Sequence, residues 1–74
     1  MTIDPTTASA LNELLRELAS ELDLHYDDNA FRAIEPTIEA MKRAAKLVTE
    51  AGYTAPDSYR HIVRRFERNV NPNR

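Results

Sequence analysis

The chain has 74 residues, of which 42% are hydrophobic and 30% charged, with a formal net charge of -2 and no cysteine. That length holds one small domain at most, and the charge balance does not fit a disordered chain, which combines low hydrophobicity with high net charge. Without cysteine there is no disulfide staple, thiolate metal site or thiol nucleophile, so nothing points to an oxidising compartment and the cytoplasm is the expectation.

Met1-Thr2-Ile3-Asp4-Pro5 has neither the charged nor the apolar region of a signal peptide, and no run reaches the ~18 apolar residues of a membrane span. One glycine leaves little for long loops or a phosphate-cradling turn. The fold class that remains is all-α: a small three-helix bundle over residues 1–74, with a long central helix kinked or split at Pro36 (four helices if split). A core this small supplies only ~3–5 kcal/mol, which makes a docking surface or a second copy a reasonable source of further stability.

Asp4 before Pro5 reads as an N-cap followed by proline at the first helical position, so the first helix is placed at about 5–24. Leu11, Leu15, Leu18 and Leu22, flanked by Ala8 and Leu14, form its inward stripe. The segment 25–29, His-Tyr-Asp-Asp-Asn, is rich in turn and capping residues and forms the first connection.

The second helix is expected over about 29–51. Phe31, Ile34, Ile38, Met41, Ala45 and Val48 alternate by three and four, giving a seam of large residues. A second seam of smaller residues, Ala33, Thr37, Ala40, Ala44, Leu47 and Ala51, runs about 100° around the helix. Two adjacent seams make this helix the hub, coverable on two sides. Pro36 removes a backbone hydrogen bond and crowds the preceding turn. Because the large seam keeps its phase, one kinked helix is favoured over a short helix followed by a longer one.

Gly52 follows Glu50-Ala51 and reads as the left-handed residue that closes the second helix. Thr54-Ala55-Pro56-Asp57 offers a capping threonine, a first-turn proline and an acid, so the third helix is placed at about 55–69, with a fraying tail at 70–74. Its inward stripe is Tyr59, Ile62, Val63, Phe66 and Val70. Tyr26 and Tyr53 fall at the two connections, where a ring can cover a helix end or anchor a partner.

Charge is divided between the halves. Residues 1–39 carry nine acids against Arg16 and Arg32, and residues 40–74 carry eight bases against Glu50, Asp57 and Glu67. On the third helix Arg60, Arg64 and Arg68 recur every four residues, with His61 and Arg65 beside them. This ridge suits carboxylates, phosphates or an acidic protein surface. Its bland alternative is a solvated face partly paired with Glu13, Glu17 and Glu21 of the first helix.

The stretch from Leu47 to Tyr53, followed by Ser58-Tyr59-Arg60-His61, resembles the second helix-turn-helix of AraC-type regulators, with a turn one residue longer. No function is carried over from that resemblance. A recognition helix needs its outer face toward the major groove, which Arg60, Arg64 and Arg68 could satisfy, but the acidic first half opposes the phosphate attraction on which such binding depends. Chemistry-bearing residues are sparse. His25 near Asp27 and Asp28 lacks the ligand count of a metal site, and Ser9, Ser20 and Ser58 have no base and orienting acid in pattern.

Neither an enzyme nor a cofactor is expected. The leading expectation is a protein-interaction module, a small regulator or inhibitor that binds an acidic partner protein through Arg60, His61, Arg64, Arg65 and Arg68. A helix-turn-helix DNA binder is the alternative, and a structural homodimer through the small seam is the second.

Overall fold

The computed structural model describes residues 3–70. Its order is helix α1 (Pro5–His25), a 3-10 segment (Asp28–Ile34), helix α2 (Glu35–Glu50) and helix α3 (Asp57–Val70), so the fold is an all-α bundle of three helices. The tail predicted as frayed lies outside the described residues except for Val70, which ends α3.

Local chemistry sets most boundaries. The carboxylate of Asp4 accepts from the Thr7 backbone N–H at 2.8 Å and from the Thr7 hydroxyl at 3.0 Å. This satisfies donors that the first turn of α1 cannot pair internally, as the Asp-Pro start requires. Those bonds, the backbone one foremost, hold the Asp4 carboxyl below the usual carboxylate range. Asp27 caps the 3-10 segment in the same way, accepting from Ala30 N–H at 3.2 Å.

Pro36 splits the second helix rather than kinking it. The chain runs as 3-10 helix through Ile34, and α2 starts at Glu35 with Pro36 in its first turn, where a missing N–H leaves nothing unpaired. The favoured single kinked helix is therefore replaced by its split alternative. The large seam keeps its phase across the split because Phe31 and Ile34 are three apart, which is one full turn of a 3-10 helix.

Gly52 closes α2 at φ +97. Gly52 N–H donates to Thr49 O at 3.0 Å and Tyr53 N–H to Val48 O at 3.1 Å, the paired bonds of a Schellman cap. The Tyr53 ring packs on the core and its hydroxyl donates to Pro5 O at 3.2 Å. That bond fastens the C-terminal end of α2 to the start of α1, so the two helices run antiparallel.

The start of α3 departs from expectation. It begins at Asp57 rather than near residue 55, and the first backbone bond runs from Arg60 N–H to Pro56 O at 3.1 Å. The cause is steric: Pro56 disfavours helical geometry at the residue before it, Ala55, so a cap at Thr54 cannot lead into a helix.

All six residues of the large seam are buried, at 5% exposure or less, together with Ala8, Leu15, Ala19 and Leu22 of α1 and Ile62 and Phe66 of α3. Phe31 and Phe66 stack at the centre with ring centroids 6.5 Å apart. The stretch expected as the hub meets both other helices, α1 through α2 and α3 through the 3-10 segment, and α1 likewise packs against both α2 and α3. Because α3 packs on α1 and the 3-10 segment rather than along α2, the small seam is only partly covered. Ala33, Ala40 and Leu47 are exposed, and Thr37, Ala44 and Ala51 half-buried.

Candidate functional site

The arginines of α3 separate into two sets by what they touch. With 3.6 residues per turn, Arg65 sits only about 60° around the helix from buried Ile62, whereas Arg64 points roughly opposite the Ile62–Phe66 face. Arg65 therefore lies on the shoulder of the core, with its side chain only 20% exposed.

The Arg65 guanidinium is held from four directions. Nε donates to Asp28 Oδ1 at 2.7 Å, and Nη1 to Asp23 Oδ1 at 2.7 Å and to Asp23 O at 3.1 Å. Nη2 donates to Tyr26 O at 3.2 Å. Its central carbon lies 4.6 Å from the Phe31 ring centroid, within cation–π range. These bonds, to Asp28 first and then Asp23, raise the Arg65 pKa further and keep the charge fixed. Arg65 thus ties α3 to the end of α1 and to the connection after it.

His61 also turns toward Asp23, with Nε2 3.4 Å from Oδ1. Arg60 is bonded to Asp57, one turn back on the same helix. Arg64 and Arg68 are exposed, and neither has an ion-pair partner among the described residues. Of the five residues predicted to bind a partner, then, the fold brings Arg65 and His61 to Asp23 and leaves Arg60, Arg64 and Arg68 on the outer edge.

The alternative in which the basic ridge pairs with the acidic ridge of α1 is not seen among the described residues. Glu13 and Glu17 meet Arg16 at 3.9 and 3.3 Å, and Glu21 meets His25 at 3.1 Å, all within α1. The inter-helix ion pairs use Asp23 and Asp28 instead, with Lys42 of α2 reaching Glu67 of α3 at 3.8 Å. The sequence signal for Arg65 was its spacing of three after Ile62; grouping it with Arg64 by adjacency concealed that.

A feature that sequence reasoning only half caught is an open apolar groove of about 390 Å³ between α1 and α2. Leu11, Leu14 and Leu18 form one wall, and Thr37, Ala40 and Ala44 the other. Leu14, expected beside the buried stripe, is 60% exposed. A polar hollow of about 430 Å³ lies where α3 starts against α1, lined by residues such as Asn12, Arg16 and Ser58. Ser58 Oγ donates there to Arg16 O at 3.1 Å, which ties the two helices rather than preparing a nucleophile.

Among the described residues, no group of three or more His, Cys, Asp or Glu side chains is arranged to hold a metal ion, and no helix is long and apolar enough to cross a membrane. No protein-family model, curated protein or solved structure matches this chain.

Proposed function

We propose that this chain is a cytoplasmic, non-enzymatic protein-interaction module, a small regulator or inhibitor whose α3 edge, Arg60, Arg64 and Arg68, binds an acidic surface on a partner protein. The observation that carries this reading is the division of labour on α3. Arg65 is engaged by Asp23, Asp28 and Tyr26, while Arg64 and Arg68 stand exposed without an ion pair among the described residues.

Arg60 joins them readily, because a surface pair such as Arg60–Asp57 contributes only about 0–1 kcal/mol and exchanges for a better acceptor. Three guanidinium groups at four-residue spacing rise about 6 Å per step along the helix, a line that suits successive carboxylates. Such a ridge chiefly accelerates encounter and sets orientation.

The helix-turn-helix reading finds less support. Residues 51–56 separate α2 from α3, against the three or four residues of a helix-turn-helix turn. The chain's negative net charge also works against duplex phosphates. Retention on immobilised poly-L-glutamate and on duplex DNA at low salt separates the two. The proposal expects salt-sensitive retention on poly-L-glutamate that is lost in R64E/R68E; tighter retention on DNA, lost in the same variant, would overturn it.

A further inference from the structure

We propose that Leu24 is an apolar anchor beside Arg64 and Arg68, so that the basic edge selects acidic protein segments carrying an aromatic side chain between two carboxylates. The inference rests on the reading of α3 above and names the chemistry of its partner.

Leu24 is the most exposed large hydrophobic residue among those described, at 76%. One exposed leucine is ordinary on a protein surface, so its neighbours decide whether it has a role. Two contacts locate them. Ser58 Oγ donates to Arg16 O and Arg65 Nη1 to Asp23 O, both at 3.1 Å and both across 42 positions. The two bonds follow the same order on both helices, so α1 and α3 run parallel in constant register. Carried to Leu24, that register sets it level with Phe66, midway between Arg64 and Arg68 along the axis.

Direction follows from the helical turn. Asp23 and Arg65 face each other, and consecutive residues step about 100° around a helix. In two parallel helices, a step forward on one and a step back on the other lead to the same side of the pair. Leu22, one step back from Asp23, and Phe66, one step forward from Arg65, are buried at 6% and 3%, so that side is the core. Leu24 and Arg64 take the opposite steps and both point outward, with Arg68 one turn beyond Arg64. Packed helices lie about 8–10 Å apart, so one partner segment can cover the leucine and both arginines.

Charge decides what seats there. Arg64 and Arg68 have no ion-pair partner among the described residues. Their rise of about 6 Å matches carboxylates four residues apart on a helix. Acids border the leucine on α1: Glu21, one turn earlier, is paired with His25 at 3.1 Å, and Glu17, about 10 Å earlier, with Arg16 at 3.3 Å. They repel a partner's carboxylates from α1 and confine them to the arginines, leaving Leu24 for an uncharged side chain. An aromatic ring suits that place best, because it covers the leucine and offers its face to a guanidinium.

Retention of the full chain on immobilised poly-L-glutamate and on a random glutamate–tyrosine copolymer separates anchor from ridge. Charge alone predicts weaker retention on the copolymer, which carries fewer carboxylates per residue. The proposal expects about tenfold tighter binding to the copolymer, the order of gain from burying one leucine side chain. Leu24→Gln should remove that gain and leave retention on poly-L-glutamate unchanged. Because Leu24 is exposed, the helical circular dichroism of this variant should match the parent.

Copolymer binding no tighter than that of poly-L-glutamate overturns the anchor and leaves the reading of α3 standing. Absence of salt-sensitive retention on poly-L-glutamate removes that reading and the anchor with it. A gain lost in Leu14→Gln rather than Leu24→Gln would seat the ring in the α1–α2 groove and refute the assignment. A dimer dissociated by Leu24→Gln in sedimentation equilibrium, or phosphatidylserine vesicles bound by the unmodified chain and not by that variant, would give the leucine another occupant and overturn the proposal.

Discussion

Replacing Arg65 by methionine removes the guanidinium while keeping an apolar stem against Phe31, which isolates the contribution of the polar clasp. The lost interactions are two charge-assisted bonds of 2.7 Å, two bonds to carbonyl oxygens at 3.1 and 3.2 Å, and the cation–π contact. Hydrogen bonds to charged groups contribute ~1.5–3 kcal/mol when shielded. The Asp23 and Asp28 side chains, however, are 39% and 56% exposed, so each ion pair is discounted to about 0.5–1 kcal/mol.

Adding about 0.5–1 kcal/mol for the cation–π contact and a similar amount for the carbonyl bonds gives a loss of about 2–4 kcal/mol. In a domain this small, that is about half the stability or more. With a urea m-value near the lower end, about 1 kcal/mol per molar, the unfolding midpoint followed by circular dichroism should fall by about 2–4 M. Arg64→Met, on the exposed face, is the control and should stay within about 0.5 kcal/mol of the parent. Equal, small losses for the two variants would refute the assignment of Arg65 to the fold and Arg64 to the surface.

Other consequences follow from single contacts. Gly52→Ala meets no atom within 4 Å of the added methyl group, so its cost is backbone strain alone, about 1–2 kcal/mol by thermal unfolding. A loss below about 0.3 kcal/mol would mean the cap does not hold that geometry. Pro36→Ala should leave stability within about 1 kcal/mol, because the proline occupies the first turn of α2; a gain near 3 kcal/mol would place it in a helix interior instead.

Two titrations have opposite signs. The Asp4 carboxyl is depressed by its Thr7 bonds, so its stabilisation is present above the unfolded carboxylate pKa and disappears as pH falls through the folded value. Asp4→Asn should flatten the acid limb of the stability–pH curve. The Tyr59 hydroxyl is raised by burial first and by Glu39 and Glu67 after it. Its contribution is complete below the ordinary tyrosine pKa and is lost as pH rises through the folded value, so Tyr59→Phe should remove that alkaline decline.

The core was legible because its six-residue seam from Phe31 to Val48 repeats by three and four, and every member is buried. The split at Pro36 was not, since a spacing of three between Phe31 and Ile34 fits a 3-10 turn as well as an α-turn. The late start of α3 was written in Pro56 and its effect on Ala55, a steric rule that the attractive cap at Thr54 obscured.

For the candidate site, periodicity identified the basic face of α3, but spacing along one helix says nothing of what the next helix offers. Only the placement of Asp23 and Asp28 against α3 takes Arg65 out of the outward-facing set and gives exposed His61 an acid to meet. Likewise, the small seam announced a contact, yet its exposure depended on α3 packing against α1 and the 3-10 segment rather than along α2.

The most direct measurement is cross-linked affinity capture from the native cell, with R64E/R68E and R65M run beside the unmodified chain. The account expects partner proteins with acidic surfaces to be retained by the unmodified chain and, at temperatures where it remains folded, by R65M, and to be lost from R64E/R68E. Retention of the same proteins by R64E/R68E would contradict it.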